Sequence, residues 1–241
     1  MISRLAHATH PVAAPLDDES VRRLLLAALD RGGERVLDLG CGGGAWLLRA
    51  LTADPGLTAE GVDISAGALA EARAEAAALG LTQRLTLHQR DAREFTAGHR
   101  FDAVFSVGAS HAFGGLLPTL DAAARQLAPG GRVLVGDCFW ESEPSPAARE
   151  LLGEYLDLAG TVERVVAHGW TPVFGHVSTR RELDDYEWHW TGALAAWALD
   201  RPGDPDSAEA LAVADRHRVQ WLRDYRSSFG FVTLVLRRTS E

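Results

Sequence analysis

Three aspartates at the ends of successive apolar segments are the residues of this sequence best suited to bind a polar ligand. Asp38 precedes Gly40 by two residues, Asp63 follows that glycine by 23 residues, and Asp91 comes after the next apolar segment. Asp38 can face an ammonium group, Asp63 can accept hydrogen bonds from two ribose hydroxyls, and Asp91 can bind an adenine amino group. Each alone could be a solvated strand end or a helix cap, but three acids at one sheet edge indicate a ligand site.

The glycine-rich stretch VLDLGCGGGA, residues 36–45, lies between the first two of these positions. Gly40, Gly42 and Gly44 let the backbone approach a ligand just before a helix N-terminus. Gly40, Gly42 and Ala45 also satisfy the dinucleotide pattern G-x-G-x-x-G/A, so a nicotinamide-dependent oxidoreductase is one alternative. A tight strand-to-helix turn without a ligand is another. Asp38 argues against the oxidoreductase, because a carboxylate there would repel a pyrophosphate.

A second chemical candidate is the segment VFSVGASHAFGG, residues 104–115. His111 lies three residues beyond Gly108, where an imidazole could deprotonate an acceptor hydroxyl, amine or thiol at neutral pH. The alternative is a neutral imidazole that orders the loop or contacts the substrate. Ser110 is not expected to be a nucleophile, because the strand–turn–helix of a nucleophile elbow is interrupted by the glycines at 114 and 115.

Short apolar strands alternate with helix-length segments in the first part of the chain, which predicts βαβ units and a parallel sheet. The predicted strands are 35–39, 58–62, 84–89, 101–107 and 132–137, and the predicted helices are 20–29, 45–53, 66–79 and 116–127. The second part predicts helices near 147–159, 161–168, 182–199 and 207–226, and strands near 171–178 and 231–236. The chain length of 241 residues is typical of one α/β domain, so we expect a single domain over 1–241.

The composition favours an acidic, reduced, cytoplasmic protein. The net charge is −9 and no basic cluster resembles a phosphate-backbone footprint, so nucleic acid is not an expected partner. The sequence contains no run of eighteen apolar residues, so a membrane is not expected either. Two cysteines, Cys41 and Cys138, show no metal-ligand spacing, and no metal is expected. All 24 cationic side chains are arginine, which a GC-rich bacterial genome explains.

The ordered motifs of residues 35–137 resemble those of class I S-adenosylmethionine-dependent methyltransferases. VLDLGCGGG matches the first motif of that family, GVDIS its ribose-binding acid, RDA its adenine-contacting position, FDAVFSVGA its fourth strand and LAPGGRVLVGD its fifth. The resemblance implies an α/β fold with a Rossmann-like, seven-stranded, doubly wound sheet. FVTLVLRR at the C-terminus suits the seventh strand, which in the family lies between the fifth and the sixth.

The resemblance also assigns the cofactor contacts, with S-adenosyl-L-methionine as donor and S-adenosyl-L-homocysteine as product. Asp38, Gly40, Cys41, Gly42 and Gly44 would hold the methionine part of the cofactor. The ribose, adenine and sulfonium positions would be Asp63, Ile64, Asp91, Ala92, Ser106, Val107 and Gly108. Cys41 is expected to be small rather than reactive.

The sequence gives weaker signals for the residues that contact the methyl acceptor. A looser resemblance to a subgroup of bacterial small-molecule methyltransferases rests on His10-Pro11, GASHAFGG and Asp185-Tyr186-Glu187-Trp188. The predicted acceptor contacts are His10, His111, Phe113, Trp140, Tyr186 and Trp190. We expect residues 1–30 and a helical cap over 182–227 to cover a small, planar or cationic acceptor, and the protein to be a monomer or homodimer. A catalytically silent protein that only binds S-adenosylmethionine is an alternative.

Overall fold

The structure is a computed structural model, and it describes residues 10–239 of the chain. Its centre is one mixed seven-stranded sheet with the strand order β3-β2-β1-β4-β5-β7-β6. The strands are β1 (Arg35–Leu39), β2 (Thr58–Asp63), β3 (Leu85–Gln89), β4 (Phe101–Val107), β5 (Leu127–Trp140), β6 (Trp170–Val177) and β7 (Phe229–Arg238). The last strand therefore lies between the fifth and the sixth, as the family resemblance implies.

Nine α-helices connect the strands of the described chain. They are α1 (Asp18–Ala28), α2 (Ala45–Ala53), α3 (Ala66–Ala78), α4 (Ser110–Phe113), α5 (Leu116–Gln126), α6 (Pro146–Leu152), α7 (Leu158–Ala167), α8 (Arg180–Asp200) and α9 (Ser207–Gln220). A π-helix over Trp221–Tyr225 continues α9. None of the helices within residues 10–239 combines the length and the apolar composition needed to span a bilayer.

The chain divides into two compact units. The first, which we call the sheet unit, comprises Asp18–Asp137, Glu163–His176 and, of the residues that the structure describes, 233–239. The second, which we call the helical unit, comprises the described residues 10–17 together with Cys138–Val162 and Val177–Val232. Residues 1–9 and 240–241 lie outside the described residues, so the predicted N-terminal segment is described only from residue 10 onward. The prediction of a single domain whose residues 1–30 and 182–227 cover the site stays a prediction.

The parallel register of the sheet unit brings the functional strand ends to one edge. Strand β1 pairs with β2 and β4, so that Asp38 lies opposite Gly61 on one side and Phe105 on the other. Buried apolar residues fill both faces of β1 and β4, as expected of central parallel strands. Because β1 and β2 run in the same direction, Asp38 and Asp63 meet at their shared carboxyl edge.

Most predicted elements are confirmed within a few residues, but strand β5 is longer than predicted. The sequence Leu-Ala-Pro-Gly-Gly was expected to be a turn before a strand at 132–137, whereas the strand begins at Leu127. Leu127 pairs with Phe101, and the register then shifts before Ala103 pairs with Arg132. A β-bulge accommodates extra residues of this kind without ending a strand, which the turn-forming composition conceals.

The helical unit is held by helix caps and aromatic packing. Helix α8 begins at a capping box in which the Thr179 side chain accepts from the Glu182 amide and Glu182 accepts from the Thr179 amide. A buried cluster of Trp140, Ala148, Trp221 and Tyr225 forms one of its cores. The helix predicted over 207–226 is a 14-residue α-helix followed by the π-helical turn.

Candidate active site

The glycine loop between β1 and α2 passes close to the exit of β4. Gly40 has φ of 89°, and a Cβ at this position would lie 2.6 Å from the Cβ of Ala109. Gly42 has φ of 50°, and a Cβ there would meet no atom within 4 Å. Helix α2 begins directly after Gly44. Gly40 thus permits loop packing, whereas Gly42 leaves open space beside a helix N-terminus, where a ligand can approach the backbone.

Asp63 joins this loop to the following helix. Its Oδ2 accepts a hydrogen bond of 2.8 Å from the Gly42 amide, and its Oδ1 accepts one of 2.8 Å from the Ser65 amide. Ser65 in turn caps α3 by accepting from the Ala68 amide. Each carboxylate oxygen has a second lone pair for a ligand hydroxyl. The carboxylate is therefore fixed by backbone donors in a position where it can still accept from a ribose.

Asp38 is a charged group of the sheet unit that lies buried in the protein interior. Its side chain is almost fully buried, with 2% exposed, and no described residue hydrogen-bonds its carboxylate. Burial, and next the negative charge of Asp63, raise the pKa of Asp38 to about 8. A buried carboxylate that lacks a protein partner is a strong candidate for a cationic ligand. The ammonium group of a methionine moiety would supply the missing charge.

Cys41 is buried between β1 and β2 rather than presented as a nucleophile. A Cβ at Gly61 would lie 2.7 Å from its Sγ, so the thiol fills the space that this glycine leaves. Burial, and then Asp38 and Asp63, raise the pKa of the Cys41 thiol. A thiol with a raised pKa is a poor nucleophile. This agrees with the prediction that the residue is small rather than reactive.

The predicted adenine end combines an exposed apolar side chain with an acid. Ile64 has 71% of its surface exposed, so its apolar side chain is accessible for contact with a planar base. The Asp91 carboxylate accepts from the side chain and then from the backbone amide of Arg93, and these bonds hold its pKa below the ordinary value. Ala92 is half-buried beside it. An adenine contact of Asp91 thus stays a prediction.

The predicted sulfonium side lies at the end of β4. The fully buried Ser106 donates from Oγ to the Leu39 carbonyl at 3.0 Å, so its hydroxyl ties β4 to β1. Val107 is half-buried, and Gly108 donates its amide to the Gly136 carbonyl at 3.3 Å. These contacts fix the backbone from which the next turn departs.

His111 lies on the one-turn helix α4, directly beyond β4. The Ser110 Oγ donates to the Asp137 Oδ1 at 2.8 Å, which ties the start of α4 to β5. Gly114 ends the turn in the left-handed region, and the imidazole of His111 is exposed. Phe113 is half-buried in the same turn. Asp137 was not predicted from the sequence, although its position after the Val-Gly of β5 was a usable signal.

The helical unit brings together two of the predicted acceptor contacts, His10 and Tyr186. The His10 ring centroid lies 5.2 Å from that of Tyr186 and 5.5 Å from that of His189, both in edge-to-face arrangements. The His10 Nδ1 donates to the Val12 carbonyl at 2.8 Å, because a carbonyl can only accept. Burial, and next Glu187, raise the pKa of the Tyr186 phenol, so it remains a neutral donor.

The other two predicted contacts of the helical unit lie mainly in packing positions. Trp140 is 5% exposed and packs edge-to-face against Tyr155 and Phe229. Trp190 stacks on His217 with ring centroids 3.9 Å apart. An acceptor contact of either tryptophan stays a prediction.

The residues at the carboxyl edge of β1 and β2 fit S-adenosylmethionine. Asp38 offers an unpartnered buried carboxylate for an ammonium group, and Asp63 offers lone pairs for ribose hydroxyls. Gly42 leaves open space where a side chain would stand, and Ile64 offers an exposed apolar face. When bound, this cofactor supplies a methyl group that is activated by a sulfonium.

The seven-stranded sheet, its strand order and this edge define a class I S-adenosylmethionine-dependent methyltransferase. The model of the family described as "Methyltransferase domain" matches residues 30–183, and the chain belongs to this family. The prediction of the enzyme class and of S-adenosylmethionine as cofactor is confirmed, and the oxidoreductase alternative is wrong.

Similar proteins cover nearly the whole chain. A methyltransferase structure from Geobacter sulfurreducens in complex with S-adenosyl-L-homocysteine has a TM-score of 0.90 at 25% identity, covering 98% of this chain and 97% of that one. The uncharacterized protein YjhP of Escherichia coli is 27% identical over 98% of this chain and 97% of its own length, and its X-ray structure has a TM-score of 0.88. The 27-O-demethylrifamycin SV methyltransferase of Amycolatopsis mediterranei is 33% identical over 54% of this chain and 47% of its own length.

Proposed function

We propose that this methyltransferase acts on a small-molecule acceptor and that His111 deprotonates or directly contacts that acceptor. The proposal rests on the position and exposure of His111 in the one-turn helix α4. An exposed imidazole follows the strand end assigned to the sulfonium side, and the Ser110–Asp137 hydrogen bond at 2.8 Å holds the turn that bears it. A base needs this combination of access and fixed position.

The work of the chain in such a reaction is alignment and proton transfer. Asp38, Asp63 and the glycine loop hold and orient the donor. With the donor bound, the methyl group would pass from the sulfonium to the acceptor atom, and the His111 imidazole would take up the proton that the acceptor loses. An imidazole suits this step because its ordinary pKa lies near neutrality.

Aromatic and histidine side chains of the helical unit support a small, planar or cationic acceptor. His10, Tyr186 and His189 form one edge-to-face group, with a neutral phenol and a His10 tautomer set by the Val12 carbonyl. Groups of this kind recognise compact ligands through ring contacts and a few hydrogen bonds. The similarity to a methyltransferase named for 27-O-demethylrifamycin SV also favours a small acceptor.

The test is turnover of His111→Ala and His111→Gln. Formation of S-adenosylhomocysteine is followed with a panel of phenols, amines and thiols, and the methylated product is identified by mass spectrometry. We expect turnover to fall about 100-fold in both variants while S-adenosylhomocysteine affinity is unchanged. His168→Ala is the matched control, because His168 is a partly exposed histidine of the sheet unit that pairs with Asp121. Full turnover in His111→Ala would refute the role of His111.

The contribution of the helical unit is tested separately. His10→Gln and Tyr186→Phe each remove one polar atom from the aromatic group. We expect the KM for the acceptor to rise about tenfold, as for loss of one hydrogen bond to a buried group, with donor affinity unchanged. An unchanged KM in both variants would place acceptor recognition elsewhere.

We also propose a cytoplasmic, bacterial protein that is a monomer or homodimer. The exclusive use of arginine is typical of a GC-rich bacterial genome, and both cysteines, Cys41 and Cys138, are thiols rather than disulfide-bonded, as a reducing compartment requires. Cell fractionation tests the cytoplasmic location, and sedimentation velocity tests the oligomeric state.

A further inference from the structure

A pocket lies in the sheet unit at the sheet edge opposite the predicted donor site. It has a volume of about 760 Å³ and is lined by Arg100, by residues around the start of β5, and by Arg237 to Thr239 at the end of β7. Arg100 directly precedes β4, and Leu127 begins β5, so the pocket lies at the amino ends of these parallel strands. Asp38 and Asp63 lie near the carboxyl ends of β1 and β2.

Three arginines line this pocket, and the described residues give them no carboxylate partner. Arg100 donates to the Arg125 carbonyl, and the guanidinium of Arg238 lies over the Trp170 ring at 4.5 Å from its centroid. A carbonyl and an indole ring hold these side chains in place without neutralising their charge. Arg237 is exposed and has neither an ion pair nor a hydrogen bond from its side chain within residues 10–239.

The surroundings of the pocket reinforce this positive charge. Arg31 donates to the Gly130 carbonyl at 2.6 Å, at a residue that lines the pocket, and so adds a fourth guanidinium nearby. Of the nearby acids, Asp30 pairs with Arg132, and Asp102 accepts from the Arg35 amide at 2.9 Å rather than from an arginine of the pocket. None of the ten described lining residues carries a carboxylate.

This clustering contrasts with the rest of the chain. The protein carries a net charge of −9, and other arginines, such as Arg149 and Arg226, lie against carboxylates. Guanidinium groups that line one concave site raise its positive potential, which favours the binding of an anion. Guanidinium groups favour phosphate oxygens, because their planar fork can donate two parallel hydrogen bonds.

We propose that this pocket binds a small molecule that bears a phosphate or diphosphate group, at a site separate from the methyl donor. The pocket volume lies in the range of small-molecule sites, and Arg100, Arg237 and Arg238 supply donors from two chain segments. The arginines bind the anion, and no covalent step is involved.

The experiment is a calorimetric titration of the full chain with inorganic pyrophosphate at about 0.15 M ionic strength, where diffuse surface attraction is largely screened. We expect saturable binding with a dissociation constant of about 1 mM or tighter. Arg237→Gln should weaken it about tenfold, because one charge-assisted donor is lost. This variant should fold normally, since the Arg237 guanidinium holds no partner in the described structure.

Two controls separate this site from general charge effects and from the donor site. Arg73→Gln removes the same charge from the exposed surface of α3 and should leave pyrophosphate binding unchanged. Asp63→Ala should weaken S-adenosylhomocysteine binding about 100-fold but leave pyrophosphate binding unchanged. Absence of saturable binding to the wild-type protein, or equal weakening by Arg73→Gln and Arg237→Gln, would overturn the proposal.

Discussion

Two buried carboxylates of this protein, Asp38 in the sheet unit and Glu187 in the helical unit, differ in their partners. Glu187 is 8% exposed; its Oε1 accepts from the Tyr225 hydroxyl at 2.8 Å, and its Oε2 lies 2.7 Å from the His217 Nε2. No described residue hydrogen-bonds the Asp38 carboxylate. Burial costs both groups their hydration, but only Glu187 is compensated within the protein.

The difference indicates which buried charge stabilises the fold and which serves a ligand. A buried charge with side-chain partners contributes to packing specificity and order, whereas one without partners destabilises the free protein and favours a ligand of opposite charge. Glu187 is therefore interpreted as structural and Asp38 as functional.

The largest effect is expected for Glu187→Ala. The substitution leaves the Tyr225 hydroxyl and the His217 ring without their carboxylate in a buried site, at a cost of about 3 kcal/mol in the free energy of unfolding. Chemical denaturation measures this loss. Because Asp38 and Asp63 are untouched, S-adenosylhomocysteine affinity at a temperature where the variant is folded should not change. Glu209→Ala, at an exposed position of α9, is the matched control, and an equally small loss in both variants would contradict the structural role of Glu187.

Asp63→Ala tests whether the carboxylates of the sheet unit serve ligand binding. It removes a carboxylate that accepts from the Gly42 and Ser65 amides, and with it the predicted ribose acceptor. We expect S-adenosylhomocysteine affinity to fall about 100-fold, since hydrogen bonds to a charged group are lost. Calorimetry measures the change, with Asp121→Asn as an exposed-acid control. Retention of wild-type affinity in Asp63→Ala would remove the basis for assigning the ribose contact.

The donor edge could be predicted from the sequence because its geometry is local. Asp38 and Asp63 each lie at the end of an apolar strand before a helix, and parallel pairing places such ends together whatever the rest of the fold does. The glycine loop belongs to the first of these βα units, whereas the strand order and the cofactor were implied by the resemblance of the ordered motifs to the methyltransferase family. The extension of β5 was missed because a Pro-Gly-Gly sequence is typical of a turn.

The hydrogen-bond network of Glu187 could not be predicted, because its geometry is not local in the sequence. Its partners His217 and Tyr225 lie 30 and 38 residues away, on α9 and in the π-helix. No periodicity in one segment reports how two helices pack against each other. The Ser110–Asp137 bond is similarly non-local, since 27 residues separate its partners. Sequence motifs therefore reveal the donor, which the family shares, more readily than the contacts peculiar to this chain.

Asp38→Asn tests the role of the buried Asp38 carboxylate through the pH dependence of stability. The pKa of Asp38 in the folded protein, about 8, lies above its ordinary value near 4 in the unfolded chain. The folded state thus binds the proton more tightly, and the contribution of this group to stability falls as pH rises from about 4 to 8. The free Asp38→Asn protein should be about 1–2 kcal/mol more stable than wild type at pH 8, and less so at pH 5.

The same substitution should weaken ligand binding. An ammonium group pairs with ionised Asp38, so wild-type affinity for S-adenosylhomocysteine should rise between pH 6 and pH 8 by up to about tenfold per pH unit. Asp38→Asn should bind more weakly at pH 8 and show a flatter profile. Calorimetry at several pH values measures both. Equal slopes for the two proteins would mean that Asp38 does not face the ammonium group.

The smallest effect is expected for Ser110→Ala. Its hydroxyl donates to Asp137 at 2.8 Å, and loss of this bond should cost about 1 kcal/mol, or a decrease of a few degrees in Tm. If the bond positions His111, turnover should fall further than stability does, and donor affinity should not change. Ser110→Thr retains the hydroxyl and should preserve turnover if the added methyl group is tolerated. A fall in Tm without any change in turnover would show that Ser110 supports the fold but not the orientation of His111.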